Sequence, residues 1–135
     1  MKIFLDANAV IYLVEGVKPW YGYVRDVLAE QLQLHGRMEI AVSALSWLEC
    51  RVKPLREENQ TLLEHYQAFV TRPRLHIQPI ETQVLDRATW LRAYHRLKTP
   101  DAIQAASALL LEGEVLFVTG EARFEKVPGL KVVRL

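Results

Sequence analysis

The stretch Thr99-Pro100-Asp101-Ala102-Ile103-Gln104-Ala105-Ala106-Ser107-Ala108-Leu109-Leu110-Leu111-Glu112-Gly113-Glu114-Val115-Leu116-Phe117-Val118-Thr119-Gly120-Glu121 decides the fold. Its first half reads as a helix with Pro100 in the opening turn, where a missing N–H costs little, running to Gly113. Its second half, Val115 to Thr119, is a continuous apolar run, as expected of a strand buried on both faces. A helix joined so tightly to a strand lies roughly antiparallel to it. The helix then begins at the edge where the strand ends. Asp101, in the first turn, arrives at the same edge as Glu121, which follows the strand after Gly120 alone.

The same alternation extends outward in both directions. Ile3, Phe4 and Leu5 form another doubly buried run, and Asp6 follows it directly. Asn8 to Glu15 reads as a short helix stopped by Gly16. Trp20, Val24, Val27, Leu28 and Leu32 recur at helical spacing and give a helix ending near Gly36. Met38 to Val42 is a strand, Ser43 to about Val52 a helix stopped by Pro54, and Leu62 to Val70 part of another helix. Leu75 to Gln78 is a short strand, Val84 to Tyr94 a long amphipathic helix, and Lys131 to Leu135 a last edge strand. Strands alternating with helices predict an α/β layered domain with a mostly parallel sheet, spanning residues 1–135 as one domain. In such sheets the sites lie at the carboxyl ends of the strands.

Four acids converge on that edge: Asp6, Glu49, Asp101 and Glu121. Glu49 lies about six residues into its helix, roughly 9 Å along the axis, and reaches the edge only if the helix leans over it. Four ionised carboxylates in one small volume repel, so either some stay protonated or a cation joins them. Oxygen ligands alone suit hard cations such as Mg²⁺ or Mn²⁺. Such ions acidify a bound water and neutralise charge on a phosphate, which is the chemistry of phosphodiester hydrolysis.

Each residue also has a structural reading. Asp101 suits a first helical turn through the helix dipole. Glu49 with Ser46 fits a Ser-x-x-Glu capping box. Glu121 fits a turn, Asn8 a helix cap, and Thr119 a strand end. Asp6 has the weakest structural excuse. The chain contains only four Asp; Asp26 and Asp86 fall inside amphipathic helices, and the other two sit at element ends on the predicted edge.

Composition narrows the class. Half of the 135 residues are hydrophobic, enough for a core without disulfides. The single cysteine, Cys50, closes no intrachain bridge and suits a reducing setting. No apolar run approaches a membrane span, so a soluble cytoplasmic protein with no membrane partner is expected. The net charge of +1 neither demands nor excludes nucleic acid. Its distribution places Arg51, Lys53 and Arg56 after Glu49, Arg96 and Lys98 before Asp101, and Arg123 and Lys126 after Glu121. Such a rim suits a phosphate backbone, and equally suits solvated helix faces. The four histidines show no metal-ligand spacing, and there is no Gly-rich phosphate loop.

Leu5-Asp6-Ala7-Asn8, Ser43-x-x-Ser46-x-x-Glu49, Thr99-Pro100-Asp101-Ala102-Ile103-Gln104-Ala105-Ala106 and Phe117-Val118-Thr119-Gly120-Glu121-x-x-Phe124 resemble the four signature segments of the PIN domain. In size the chain looks most like the VapC toxins of bacterial and archaeal toxin–antitoxin pairs. The resemblance implies a three-layer α/β/α sandwich with a mainly parallel central sheet and Mg²⁺- or Mn²⁺-dependent endoribonuclease activity on RNA. It also implies a homodimer and a cognate antitoxin that blocks the site. Asp6, Glu49 and Asp101 match the family's acids, and Asn8 and Thr119 its polar neighbours. The last segment departs: the usual Thr-Asn-Asp is here Thr119-Gly120-Glu121. A competing expectation is a PIN-like fold that binds RNA or protein without cutting. A phosphatase using Asp6 as nucleophile is a third, although Asn8 cannot serve as its general acid.

Overall fold

The computed structural model describes residues 1–135. Strands β1 (Lys2–Leu5), β2 (Glu39–Ser43), β3 (Leu75–Gln78), β4 (Val115–Thr119) and β5 (Val132–Arg134) form one sheet in the order β3-β2-β1-β4-β5. Every pairing is parallel. The helices are α1 (Ala7–Glu15), α2 (Trp20–His35), α3 (Ala44–Glu49), α4 (Val52–Arg56), α5 (Gln60–Val70), α6 (Thr82–His95) and α7 (Thr99–Leu109), with a 3-10 turn at Ala122–Lys126.

The continuous apolar runs are explained by burial on two faces. Ile3 and Leu5 of β1 join one core with Val24, Tyr66 and Phe69, drawn from α2 and α5. Phe4 between them joins the other, with Val84, Leu91 and Ala105 of α6 and α7. Phe117 and Val118 of β4 divide in the same way. Successive side chains on a strand point to opposite faces, so a strand covered by helices on both sides has no polar position to spare. The result is the expected α/β/α sandwich.

Most predicted elements stand within a residue or two of their expected bounds. Two differ. Pro54 does not stop the helix that follows Ser43; α3 ends at Glu49, and Pro54 lies buried inside the separate short helix α4. In the first turn of a helix no intrahelical partner is needed, so proline is tolerated there. The helix from Thr99 ends at Leu109 rather than at Gly113, and a turn completes the link to β4.

Strand order places a topological switch point between β1 and β4. From β1 the chain steps outward through β2 to β3, then returns to β4 on the other side. Loops leaving two such strands diverge to opposite faces and open a crevice at their carboxyl ends. Asp6 and Glu121 are the residues at those two ends.

Candidate active site

Asp6 is only 4 % exposed. Its Oδ1 accepts a 2.9 Å hydrogen bond from the Ala9 amide, which makes Asp6 the N-cap of α1. Its Oδ2 accepts a 2.6 Å bond from the Thr119 hydroxyl. The Thr119 oxygen in turn accepts from the Glu121 amide at 3.0 Å, tying the end of β1 to the end of β4. Burial pushes the Asp6 carboxyl up to about 6, against the lowering effect of Thr119 and Ala9; Glu121 adds to the rise and Arg123 opposes it. The capping role read for Asn8 therefore belongs to Asp6, because the helix starts one residue earlier. Asn8 stands exposed in the first turn of α1.

Asp101 lies in the first turn of α7, as expected, but its carboxylate is not free. Arg123 grips it from two nitrogens, Nε to Oδ2 and Nη2 to Oδ1 at 3.3 Å. The same guanidinium donates from Nη1 to Glu121 Oε2 at 3.0 Å. Arg123 is held above its ordinary value chiefly by the bond to Asp101. It is positioned by its neighbour Phe124, buried against Phe117 at 4.7 Å between ring centroids; Phe117 stacks on Phe4. The 3-10 turn that carries Arg123 is thus anchored to the core by one aromatic side chain.

Glu49 is the last residue of α3, half-buried. Burial raises its carboxyl, nearby Asp101 raises it further, and the Gln104 amide lowers it. The capping-box reading of Glu49 fails. Ser43, not Ser46, caps α3, accepting from the Leu45 amide at 3.1 Å. Ser46 instead receives a 2.9 Å bond from Gln104 Nε2, and the Ser107 hydroxyl lies 3.2 Å from that of Ser43. This buried polar seam locks α3 onto α7 and holds Glu49 toward Asp101. Sequence reasoning missed it. The three-residue spacing of Asp101, Gln104 and Ser107, which puts them near one another on a helix surface, was the available signal.

The Arg123 guanidinium thus bridges Asp101 and Glu121, Thr119 ties Asp6 to the Glu121 backbone, and Glu49 lies near enough to Asp101 for its charge to be felt. In this conformation no three acidic, histidine or cysteine side chains are gathered closely enough to hold a metal ion. The chemistry of the donor set nevertheless fits a hard divalent cation. All donors are oxygens, burial makes one carboxyl harder to ionise, and a guanidinium already stands in as the cation.

Parallel sheet, switch-point crevice and paired carboxylates define a class, and the sequence agrees. The chain belongs to the PIN domain family, whose profile matches residues 3–130. Solved structures that share the fold include two toxin–antitoxin complexes. The VapBC2 complex from Rickettsia felis bound to a promoter DNA fragment aligns with TM-score 0.75 at 18 % identity, covering 99 % of this chain and 98 % of that one. A toxin–antitoxin complex from Klebsiella pneumoniae aligns with TM-score 0.69 at 24 % identity, covering 97 % and 95 %. No curated protein matches the chain in sequence.

Proposed function

We propose that the protein is a divalent-metal-dependent endoribonuclease, the toxin of a toxin–antitoxin pair, acting as a single cytoplasmic domain. The observation that carries this reading is the pairing of a buried, reluctantly ionised Asp6 with a guanidinium-bridged Asp101 and Glu121 at the switch point. Asp6, Asp101, Glu49 and Glu121 would hold Mg²⁺ or Mn²⁺. When bound, the ion supplies an acidified water and charge neutralisation at the phosphate.

The chain's own residues do the positioning. Thr119 orients the Asp6 carboxylate and fixes the Glu121 backbone. Gln104 ties α7 to α3 through Ser46 and lowers the Glu49 carboxyl. Arg123 holds Asp101 and Glu121 together while occupying their oxygens, so it must yield when a cation enters. Asn8, exposed at the rim, is free to meet substrate.

An antitoxin partner is supported by an apolar groove between α2 and α5, about 670 Å³ in volume and lined by none of the four acids. Leu28, Leu32, Met38 and Phe69 line it, and Arg25 and Arg72 stand among them. That composition suits an amphipathic, acidic partner helix. Both similar folds belong to complexes of toxin with antitoxin. A homodimer is part of the same reading.

The test is RNA cleavage in Mn²⁺ or Mg²⁺ by the wild type, Asp6→Asn and Asp101→Asn. Loss in both variants by a factor well above the ~10–100 expected for a residue that merely orients a metal ligand is the expected result; undiminished cleavage sinks the reading. A second reading, RNA binding without cutting, is favoured by the Arg123 cover and the longer Glu121 arm. It predicts no Mn²⁺ uptake by calorimetry that depends on Asp6 and Asp101.

A further inference from the structure

The basic residues predicted around the acids do not share one fate. On the Glu49 side, Arg51 folds back on the preceding helix α3, with Nε on the Trp47 carbonyl at 2.8 Å and its guanidinium 3.5 Å from the Trp47 ring centroid. Lys53 pairs with Glu57. On the Asp101 side the outcome is different. Arg96, Lys98, Arg123 and Lys126 line a cleft of about 410 Å³ together with Leu97, Pro100 and Asp101. Four cations face one carboxylate there, and that carboxylate is already taken by Arg123. Arg96, Lys98 and Lys126 make no ion pair, while carboxylates elsewhere are engaged with Lys53, Lys131 and Arg134. Three of the four cations lining this cleft are therefore left without a carboxylate partner.

Backbone features point the same way. Arg96 caps α6 with φ 56°, a left-handed conformation in which glycine is the easier choice. Lys98 occupies the N-cap of α7 and gives no side-chain acceptor to the first-turn amides. A basic residue at both positions leaves local structure less well served and the cleft better charged. At the same end of α6, Tyr94 is 72 % exposed and packs on Trp90. Exposed aromatics near the end of the same helix suit the stacking of single-stranded bases.

We propose that this cleft is the backbone-phosphate subsite for single-stranded RNA. Arg96, Lys98 and Lys126 would hold the phosphate next to the one presented to the acids, and Arg123 would stand between the two. The inference rests on the acids being the cutting site, and it fixes the direction of the strand: over the α6–α7 junction, away from α4.

The experiment is fluorescence anisotropy with a labelled 12-nucleotide RNA of mixed sequence, in chelator so that nothing is cut. Wild type, Lys98→Ala/Lys126→Ala and the control Lys53→Ala/Arg56→Ala, which removes equal charge on the other side, are compared across a salt series, with folding checked by circular dichroism. The cleft variant is expected to bind at least tenfold more weakly. Its slope of log affinity against log salt should fall by about 1.4, at about 0.7 for each single-strand phosphate that is no longer neutralised. The control should lose less than twofold. In Mn²⁺ the cleft variant should raise KM with kcat nearly unchanged. Equal losses in both variants, no loss in the cleft variant, or no RNA binding by the wild type overturns the proposal. So does a cleft variant that keeps RNA affinity but loses binding to a poly-glutamate peptide, which would mark a protein-docking site. Cleft-dependent RNA binding without Mn²⁺-dependent cleavage supports the subsite and removes the nuclease reading instead.

Discussion

The two halves of the candidate site solve the same problem in opposite ways. At the end of β1, Asp6 is buried and satisfied by neutral donors, the Ala9 amide and the Thr119 hydroxyl. At the end of β4 and the start of α7, Glu121 and Asp101 remain near solvent and are satisfied by a full positive charge on Arg123, itself 47 % exposed. Hydrogen bonds alone do not offset the desolvation of a carboxylate, so Asp6 gives up its proton later than an ordinary aspartate, at about 6. The difference teaches which acid waits for a counter-charge: the one that burial has deprived of it.

Removing the charge from Asp6 should break the contrast most strongly. In metal-free protein, its carboxyl sits at about 6 against an ordinary 3.8, so folding favours the protonated form. The stability it contributes is complete below pH 3.8 and is lost as pH rises through about 6. Asp6→Asn keeps the helix cap and cannot ionise. At pH 8 in chelator it should be more stable than wild type by on the order of 2 kcal/mol, after roughly 1 kcal/mol is deducted for the disturbed Thr119 bond. Denaturant melts at pH 4 and pH 8 check this: the gain should vanish at pH 4, and a gain independent of pH refutes the account.

Thr119→Val tests the neutral half from the donor side. It deletes the hydrogen bond to Asp6 and the acceptor for the Glu121 amide. Cleavage in Mn²⁺ should fall by about 10–100-fold, the usual cost of losing a group that orients a metal ligand, and an activity within twofold of wild type would count against that role.

Arg123→Gln should give the smallest change in stability, below about 1 kcal/mol, because solvent screens an exposed ion pair. Its interest lies in the direction of Mn²⁺ affinity by calorimetry. Tighter uptake than wild type is expected if the guanidinium competes for the carboxylates, and weaker uptake would show that it serves to gather them.

Much of this site is legible in the amino-acid sequence. Asp6, Asp101 and Glu121 can be placed on one edge because each adjoins a buried strand, or a helix tied to one, and a parallel sheet aligns its ends. Glu49 is less legible, since its position depends on how α3 lies against α7, and that is set by serines and a glutamine whose partners are 58 and 64 residues away. The role of Asp6 as a helix cap escapes a reading that starts α1 one residue late. The Arg123 bridge escapes it too, because a basic residue two positions after Glu121 looks the same whether it faces solvent or turns inward.

The sequence by itself determined the layered α/β fold and the edge on which the acids stand, because apolar periodicity reports burial and burial on two faces leaves few topologies. Only the tertiary structure decided which acid is buried, which are paired, and which cations stay free. Those states depend on distances between segments remote in the chain, and local pattern carries no record of them.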